Sequence, residues 1–264
     1  MTAGGPHPPG EPLAVRGERG AGISRGFFVT GTDTEVGKTC ISAGLLHRLA
    51  AEGYRAAGLK PVAAGTVLRD GRNVNDDVLA LHQASAVPLS DAEVGPCQFA
   101  TPCAPHIAAA IEGRTIDRRS LSAHAHALAA RADLLVVEGV GGFSVPLGDD
   151  WDTADLACDL GLPVILVVGL RLGCLNHALL TAEAIRGRGL RLAGWVGTHL
   201  SPDMPFAVEN AATLRAWLQR RHRTPCLGLV PWLPDPGPAA VAAHLDPAAL
   251  HAALASDPPS ERTR

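Results

Sequence analysis

The sequence lacks an excess of positive charge, a long apolar run and any closely spaced pair of cysteines. With a formal net charge of −3 and an isoelectric point near 6.4, the chain has no basic field to attract a nucleic-acid backbone, so we expect no nucleic-acid partner. The longest apolar run, residues 162–172, is far shorter than the roughly 20 residues of a membrane span. Residues 1–25 lack the apolar stretch of a signal peptide, and the six cysteines show no CxxC spacing. These absences predict a cytoplasmic protein with reduced thiols and no membrane partner.

Lysine is also scarce: of the 23 lysine and arginine residues, only Lys38 and Lys60 are lysines, and the others are arginines. A compact ammonium fits where a planar guanidinium cannot, which is a physical reason to use lysine in a chain that otherwise uses arginine. The alternative is that two lysines survived a compositional bias without a role. We treat both lysines as candidate site residues.

The sequence does contain enough apolar residues for a core, and its elements alternate regularly. It is 47% hydrophobic, which excludes global disorder. Strand-length apolar runs alternate with longer segments of helical period, which predicts an α/β fold with a doubly wound, mostly parallel sheet and helices on both faces. The predicted strands are 26–30, 55–60, 133–138, 163–169, 192–198 and 226–231, and the predicted helices are 38–51, 75–84, 121–131, 153–160, 176–186 and 205–220.

Composition divides the chain into one domain and two tails. Residues 1–25 are rich in glycine, proline and charge, and they predict a disordered N-terminal tail. Residues 26–233 carry the alternating elements and form the predicted domain. Residues 234–264 are rich in proline and alanine, and they predict a C-terminal tail with one short helix near 247–255.

The strongest functional signal lies between the first predicted strand and the first predicted helix. Residues 31–39 read GTDTEVGKT and end in the GKT of a phosphate-binding loop, with five residues rather than the usual four between the two glycines. In such a loop, backbone N–H groups at a helix N-terminus cradle phosphate oxygens. Gly37 allows close approach, Lys38 reaches the β- and γ-phosphates, and Thr39 offers its hydroxyl to Mg²⁺. The motif predicts a nucleotide site and a fold of the P-loop NTPase type.

Two carboxylates are candidates to complete a magnesium site with Thr39. Glu138 ends the apolar run DLLVVE and precedes a flexible GVGG stretch, residues 139–142, whose backbone could approach a ligand closely. Asp77 opens a predicted helix, and there the capping of the helix dipole explains its presence equally well. Carboxylates at strand ends or in the adjacent loops face the phosphates in this architecture, so both remain candidates.

Lys60 ends the second predicted strand in the segment LKPV, at the sheet edge where ligands of open α/β folds bind. A second cation there suits an anionic reacting group, and an ordinary surface lysine is the alternative. The histidines are less informative, because His124 and His126 lie two residues apart on a helix and do not face each other. No HExxH or Cys/His metal spacing occurs, so we assign no transition-metal site.

Taken together, these segments resemble the dethiobiotin synthetase family. The matching segments, in order, are GTDTEVGKT (31–39), GLKPVAAG (58–65), VEGVGG (137–142), LGCLNHALLTAEAI (172–185) and PWL (231–233). The resemblance covers roughly residues 26–233 and leaves both tails outside. GTDTEVGKT followed by the KPV segment is specific, whereas GKT alone is shared by many NTPases.

The resemblance implies an ATP- and Mg²⁺-dependent cyclo-ligase of biotin biosynthesis that converts 7,8-diaminopelargonic acid and CO₂ into dethiobiotin, ADP and phosphate. One amine captures CO₂ as a carbamate, the carbamate oxygen attacks the γ-phosphoryl group to give a mixed anhydride, and the second amine closes the ring while expelling phosphate. In this family the partner subunit binds the distant carboxylate of the substrate. The resemblance therefore also implies a homodimer with its active site at the interface.

Carried over residue by residue, the resemblance assigns catalysis to Lys38, which neutralises phosphate charge, and to Lys60, which stabilises the carbamate and the transferring phosphoryl group. It assigns Mg²⁺ to Thr39, Asp77 and Glu138. The implied nucleotide contacts are Thr34, Glu35, Val36, Gly37, Lys38, Thr39, Glu138, Gly139, Gly141, Thr198, Pro231, Trp232 and Leu233. The implied substrate contacts are Thr34, Lys60 and Ala64, together with Gly173, Cys174, Leu175 and Asn176 where a helix begins.

Two positions depart from the family pattern. Where the family commonly has a serine after KPVA, this chain has Ala64, so one hydroxyl contact to the substrate is missing or comes from Thr66. Where family members often place an asparagine that reads adenine, this chain has Thr198, which lacks the paired donor and acceptor of an amide. The base specificity is therefore open.

Two other functions are compatible with a P-loop. An amidoligase of the cobyrinic acid diamide type shares the fold, but it normally brings a glutaminase domain, which the roughly 30 residues after Leu233 cannot encode. A nucleotide-switched partitioning or positioning ATPase typically carries an extra lysine early in the loop, and residues 32–36 contain none. Both are less favoured than the synthetase.

Overall fold

The computed structural model describes residues 23, 25–69 and 71–255, which form ten strands and ten helices. The strands are β1 (Gly26–Gly31), β2 (Ala56–Leu59), β3 (Val62–Ala64), β4 (Val67–Arg69), β5 (Arg72–Val74), β6 (Cys97–Phe99), β7 (Leu134–Glu138), β8 (Val164–Leu170), β9 (Leu192–His199) and β10 (Cys226–Val230). The helices are α1 (Lys38–Ala51), α2 (Asp76–Ala84), α3 (Asp91–Val94), α4 (Pro105–Ile111), α5 (Arg118–Ala129), α6 (Thr153–Leu160), α7 (Cys174–Gly187), α8 (Ala207–His222), α9 (Pro238–Ala242) and α10 (Pro247–Ala255).

The main sheet has six strands in the order β10-β9-β8-β1-β7-β2, and all of its neighbouring pairs are parallel. All six strands were predicted as apolar runs, since strands covered on both faces are apolar throughout. Because the strands are parallel, their carboxyl ends meet at one edge of the sheet. The end of β1, the residue after β2 and the end of β7 are therefore brought together from distant parts of the sequence.

Helices cover both faces of this sheet, as two neighbouring residues of β1 show. Phe28 packs on one face, in a cluster that includes Ala125 of α5 and Ala178 of α7. Phe27 packs on the other face, in a cluster that includes Ile41 of α1. Successive strand residues point to opposite faces, so both phenylalanines are buried because both faces are covered. The predicted doubly wound α/β fold is confirmed.

Several short elements were not predicted. Strands β3 and β6 form a separate parallel pair, and β4 and β5 form an antiparallel hairpin. Each of these four strands is three residues long, which is too short for an alternating pattern to stand out in a sequence. Helices α3 and α4, with four and seven residues, were missed for the same reason.

Residues 238–255 pack onto the domain, which corrects the prediction of a loose tail from residue 234 over the part of that tail that the structure describes. The predicted helix near 247–255 is present as α10, and α9 precedes it. Val241 of α9 is fully buried against α1, where a Cβ on Gly44 would lie 2.6 Å from the Val241 Cγ1 atom. Leu245 is also buried and bridges to Gly228 of β10. The core therefore continues beyond residue 233 and includes residues of α10.

The predicted disordered tail, residues 1–25, lies almost wholly outside the described residues. Within it, Ile23 is buried, and its N–H donates to the Leu160 carbonyl at 3.1 Å. The six cysteines all lie in the described residues, and none of them forms a disulfide there. Among the described residues, no helix has both the length and the apolar character needed to cross a membrane.

Candidate nucleotide and metal site

The phosphate-binding loop connects β1 to α1, as predicted. Gly37 is the N-cap of α1 with φ of 90°, a left-handed conformation that glycine adopts without strain. A Cβ at Gly37 would also lie 3.3 Å from the Thr198 Cγ2 atom. No side chain caps α1 and its first turn contains no acidic residue, so its first N–H groups are free to bind an anion.

The ammonium of Lys38 is folded back onto this loop. Its Nζ donates to the Asp33 carbonyl oxygen at 2.8 Å, and the residue is buried. Burial, together with the positive charge of Lys60, lowers the pKa of Lys38 from its ordinary value to about 8. The anionic groups Glu138, Asp77 and Asp33 oppose that shift without cancelling it. The negative charges around Lys38 therefore compensate its ammonium only in part. A bound phosphate would supply the missing negative charge and favour the charged form.

Beside the loop, the second lysine and the two predicted carboxylates meet at one point. Lys60 Nζ lies 2.6 Å from Glu138 Oε1, 2.8 Å from Asp77 Oδ2 and 3.2 Å from the Gly139 carbonyl oxygen. The Thr39 hydroxyl lies 2.7 Å from Asp77 Oδ1 and 2.8 Å from Glu138 Oε1, and its single proton can be donated to only one of them at a time. Lys60 is thus a buried member of an ion cluster with the buried Glu138 and the partly exposed Asp77, and it is not the surface lysine of the alternative interpretation.

The charges in this cluster support one another. Burial opposes the ammonium of Lys60, but the Coulombic attraction and hydrogen bonds of Glu138 and Asp77 outweigh burial and raise its pKa. Burial likewise opposes the Asp77 carboxylate, and Lys60 with the Thr39 hydroxyl outweighs it and lowers the pKa of Asp77. At neutral pH Lys60 is therefore an ammonium and Asp77 a carboxylate.

The residues predicted to hold Mg²⁺ fit that ion. Thr39, Asp77 and Glu138 supply hard oxygen donors, which Mg²⁺ prefers. The second carboxylate oxygen of Glu138, Oε2, is buried and has no hydrogen-bond partner in the structure. In the described part of the chain, no group of three His, Cys, Asp or Glu side chains is arranged to hold a metal. The site has two carboxylates and a hydroxyl, a set that suits Mg²⁺ shared with a nucleotide phosphate.

The structure also shows what surrounds Asp77 at the start of α2. The N-cap of α2 is Asn75, whose side-chain oxygen accepts from the Asp77 N–H at 3.0 Å. Asn75 is itself held in place, since its N–H donates to Gln98 Oε1 at 2.8 Å. Asn75 therefore supplies the side-chain cap. Asp77 lies in the first turn, where its charge favours the helix dipole, and its carboxylate also contacts Thr39 and Lys60, so both explanations stay compatible with its position.

A cavity of about 820 Å³ opens over the loop and the ion cluster. The predicted site residues that line it are Thr34, Glu35, Gly37, Lys38, Thr39, Lys60, Ala64, Asp77, Glu138 and Gly141. Thr66, the suggested substitute for a missing hydroxyl beside Ala64, is not among the lining residues. Asp33 of the GTDTEVGKT motif and Val140 and Gly142 of the GVGG stretch also line the cavity. The lining residues that the sequence did not indicate are Cys40, Pro102, Cys103, Ala104, Pro105 and Val145. Most of these lie in irregular loops, where no pattern in the sequence marks them.

Several predicted nucleotide contacts lie outside this cavity. Val36 is buried beneath the loop, and Gly139 contributes its carbonyl oxygen to Lys60. Pro231, Trp232 and Leu233 follow β10 and do not line the cavity, and the Trp232 side chain is exposed. Their contact with a nucleotide base stays a prediction.

Thr198 is placed differently from a residue that reads a base. It is buried on β9, and its hydroxyl lies 2.6 Å from the Val36 carbonyl oxygen and 3.3 Å from the Val168 carbonyl oxygen. The hydroxyl proton is therefore used inside the protein. Together with the close approach of its methyl group to Gly37, this makes Thr198 a support beneath the phosphate-binding loop.

The four residues predicted to bind the substrate carboxylate begin α7. Gly173 is the N-cap with φ of 95°, and no side chain caps the helix. Cys174 is buried, and its N–H donates to the Arg171 carbonyl oxygen at 3.0 Å, so the N–H groups of Leu175 and Asn176 are the ones left for a ligand. Gly173, Cys174, Leu175 and Asn176 do not line the cavity of their own chain.

Comparison with known proteins finds one matching family model and several similar structures. A protein-family model described as AAA domain matches residues 25–240. Among solved structures, the septum site-determining protein MinD from Pyrococcus horikoshii, complexed with Mg-ADP, is similar at 17% identity and a TM-score of 0.49, over 88% of this chain and 90% of that one. A ParA family ATPase from Chlorobium tepidum is similar at 13% identity and a TM-score of 0.48, over 84% and 92%. The cell division protein FtsY from Thermotoga maritima is similar at 16% identity and a TM-score of 0.44, over 88% and 69%.

Proposed function

We propose that this chain, which belongs to the AAA domain family and is a nucleotide-binding P-loop ATPase, synthesises dethiobiotin. In that reaction ATP and Mg²⁺ drive the ring-closing carboxylation of 7,8-diaminopelargonic acid with CO₂, and ADP and phosphate are released. The observation that carries the proposal is the second lysine, Lys60, buried 2.6 Å from Glu138 at the floor of the phosphate cavity. A lysine held there suits a reaction with an anionic intermediate beside the γ-phosphate.

The residues of the cavity divide the work of such a ligase. Lys38 and the free N–H groups of α1 bind and neutralise the β- and γ-phosphates of ATP. Lys60 lines the same cavity as Lys38, and its ammonium can stabilise a carbamate and the phosphoryl group that is transferred to it. Thr39, Asp77 and Glu138 would hold Mg²⁺, which neutralises phosphate charge when bound. Catalysis is then mainly positioning and charge neutralisation, which phosphoryl transfer requires.

The substrate carboxylate requires a second binding element, and we assign it to the start of α7. An uncapped N-terminus on a 14-residue helix suits a carboxylate, and the Asn176 amide adds a donor. Because Gly173 to Asn176 do not line the cavity of their own chain, this assignment requires a second copy of the chain. We therefore propose a homodimer in which each copy completes the active site of the other.

A switch ATPase is the alternative from another class, and the loop sequence argues against it. Such loops typically carry an extra lysine early in the motif, whereas residues 32–36 are Thr, Asp, Thr, Glu and Val. A switch ATPase would hydrolyse ATP without a diamine, and this difference can be measured directly.

The test is to incubate the protein with Mg²⁺-ATP and bicarbonate, with and without 7,8-diaminopelargonic acid, and to follow phosphate and dethiobiotin. We expect diamine-dependent phosphate release matched one to one by dethiobiotin, as detected by mass. An analogue with a single amine should not give a ring. Lys38→Ala should abolish turnover, whereas Arg221→Ala, an exposed residue on α8, should retain it. Phosphate release that does not depend on the diamine would overturn the proposal and favour a switch ATPase.

A further inference from the structure

Arg171, which follows β8 directly, reaches across the sheet edge to the phosphate-binding loop. Its guanidinium donates to Asp33 Oδ2 at 2.5 Å, joining two residues that lie 138 positions apart in the sequence. The main chain of Arg171 is itself held, because its carbonyl oxygen accepts from the Cys174 N–H at 3.0 Å in the turn that begins α7. The side chain therefore extends from a fixed point.

Asp33 in turn holds the loop at two further places. Its Oδ1 accepts from the Thr34 N–H at 2.8 Å, and its main-chain oxygen accepts from Lys38 Nζ at 2.8 Å. The Thr34 N–H, followed by the ion pair with Arg171, lowers the pKa of Asp33, so the carboxylate stays charged at neutral pH. The position of Asp33 thus sets both a loop N–H and the ammonium that meets the phosphates.

We propose that Arg171 is a positioning residue of the nucleotide site, which acts through Asp33 to hold the phosphate-binding loop in its binding conformation. Both side chains are about half exposed, at 48% each, so each is free to be replaced without disturbing the core. The effect is preorganisation: a loop already held in place loses less conformational entropy when the nucleotide binds. The proposal rests only on the nucleotide-binding loop and is independent of the identity of the second substrate.

Long-range charge offers a different account, and it predicts a different sign at one position. If Arg171 acted only as a positive charge near the phosphates, its removal would weaken nucleotide binding and removal of the Asp33 charge would strengthen it. If the pair positions the loop, removal of either partner weakens binding. Asp33→Asn separates the two accounts, because asparagine can still accept from the Thr34 N–H while it loses the ion pair.

The experiment is a double-mutant cycle on the affinity for Mg²⁺-ADP, measured by titration calorimetry on the full chain. Arg171→Ala and Asp33→Asn should each weaken binding by about 1.5- to 5-fold, the range of an exposed ion pair. The double variant should bind no more weakly than either single variant, since both remove the same interaction. Arg171→Lys should restore part of the loss. The matched control is Arg221→Ala, which removes the pair of similar exposure between Arg221 of α8 and Glu183 of α7 and should leave the affinity unchanged.

Three results would overturn the proposal. Tighter binding by Asp33→Asn would show that only charge matters at this position. Additive losses in the double variant would show that the two residues act independently. Unchanged affinity in Arg171→Ala would show that the loop does not depend on the pair.

Discussion

Replacing Lys60 by methionine tests whether the ion cluster exists as described. Methionine has a similar length but no charge, so the change removes the ammonium that lies 2.6 Å from Glu138 and 2.8 Å from Asp77. Glu138 has no solvent exposure, and without Lys60 its carboxylate is a buried charge without its nearest counter-ion. Breaking a buried pair in this way costs about 3–5 kcal/mol, a large share of the roughly 5–15 kcal/mol by which folded domains are stable.

We expect the loss to depend on pH in a defined direction. In the wild-type protein the lowered pKa of Asp77 contributes stability above the ordinary value of 3.8, and this contribution is lost as the pH falls through the lowered pKa. The raised pKa of Lys60 contributes stability that is lost only as the pH rises through it, in the alkaline range. The difference in the free energy of unfolding between wild type and Lys60→Met should therefore be largest near neutral pH and should become smaller at acid pH.

Urea unfolding at equilibrium measures this directly. The double variant Lys60→Met with Glu138→Gln should recover at least about half of the loss, because it removes the carboxylate that was left unpaired. Arg48→Met is the matched control, since it breaks a pair with Glu52 at 3.0 Å on the surface of α1 and should cost less than about 1 kcal/mol. A loss below about 1 kcal/mol for Lys60→Met, or no recovery in the double variant, would refute the reasoning.

The same variant bears on the proposed reaction. Lys60→Met should lower turnover far more than ATP affinity, because in the proposed reaction Lys60 faces the carbamate and the phosphates are bound by Lys38 and α1. Initial rates and calorimetric titration with a nucleotide separate the two effects. If only the ATP affinity fell, the role of Lys60 at the carbamate would be wrong.

Three further changes probe the support of the site and its protons. Thr198→Val removes the hydroxyl that donates to the Val36 carbonyl, so it should lower the free energy of unfolding in urea by about 1–3 kcal/mol and weaken nucleotide binding. Thr198→Ser should restore both the stability and the binding. Wild-type nucleotide binding by the valine variant would contradict the supporting role. Val241→Ala should cost about 1–3 kcal/mol, because the side chain is fully buried against Gly44, and an unchanged midpoint would mean that α9 is not part of the cooperative core. Because the pKa of Lys38 is about 8, about half of the Lys38 side chains are neutral at pH 8, and a bound phosphate favours the charged form. ATP binding at pH 8 should therefore take up about half a proton. Calorimetry in buffers of different ionisation enthalpy measures this uptake, which should be absent in Lys38→Met.

Most of the fold could be predicted from the sequence, because the features concerned are local. Helix α6 has the predicted bounds Thr153–Leu160, and β1 and α1 on either side of the loop agree within one residue. Apolar runs reveal strands covered on both faces, and helical period reveals longer helices. The three-residue strands and α9 could not be found in this way. Residues 238–242 read PAAVA, and only contact with Gly44 of α1 shows that Val241 is a core residue.

In the candidate site, too, local features could be predicted from the sequence, whereas contacts between distant residues could not. The sequence by itself determined the candidate residues: Gly37, Lys38 and Thr39 in one motif, and Lys60 because lysine is so scarce. Tertiary structure alone decided what surrounds them. It placed Glu138 beside Lys60, left the capping of α2 to Asn75, turned the Thr198 hydroxyl beneath the loop and joined Arg171 to Asp33. Motifs are local because neighbouring residues shape one loop, whereas partners in a parallel sheet come from strands that are far apart in the sequence and meet only when the sheet forms.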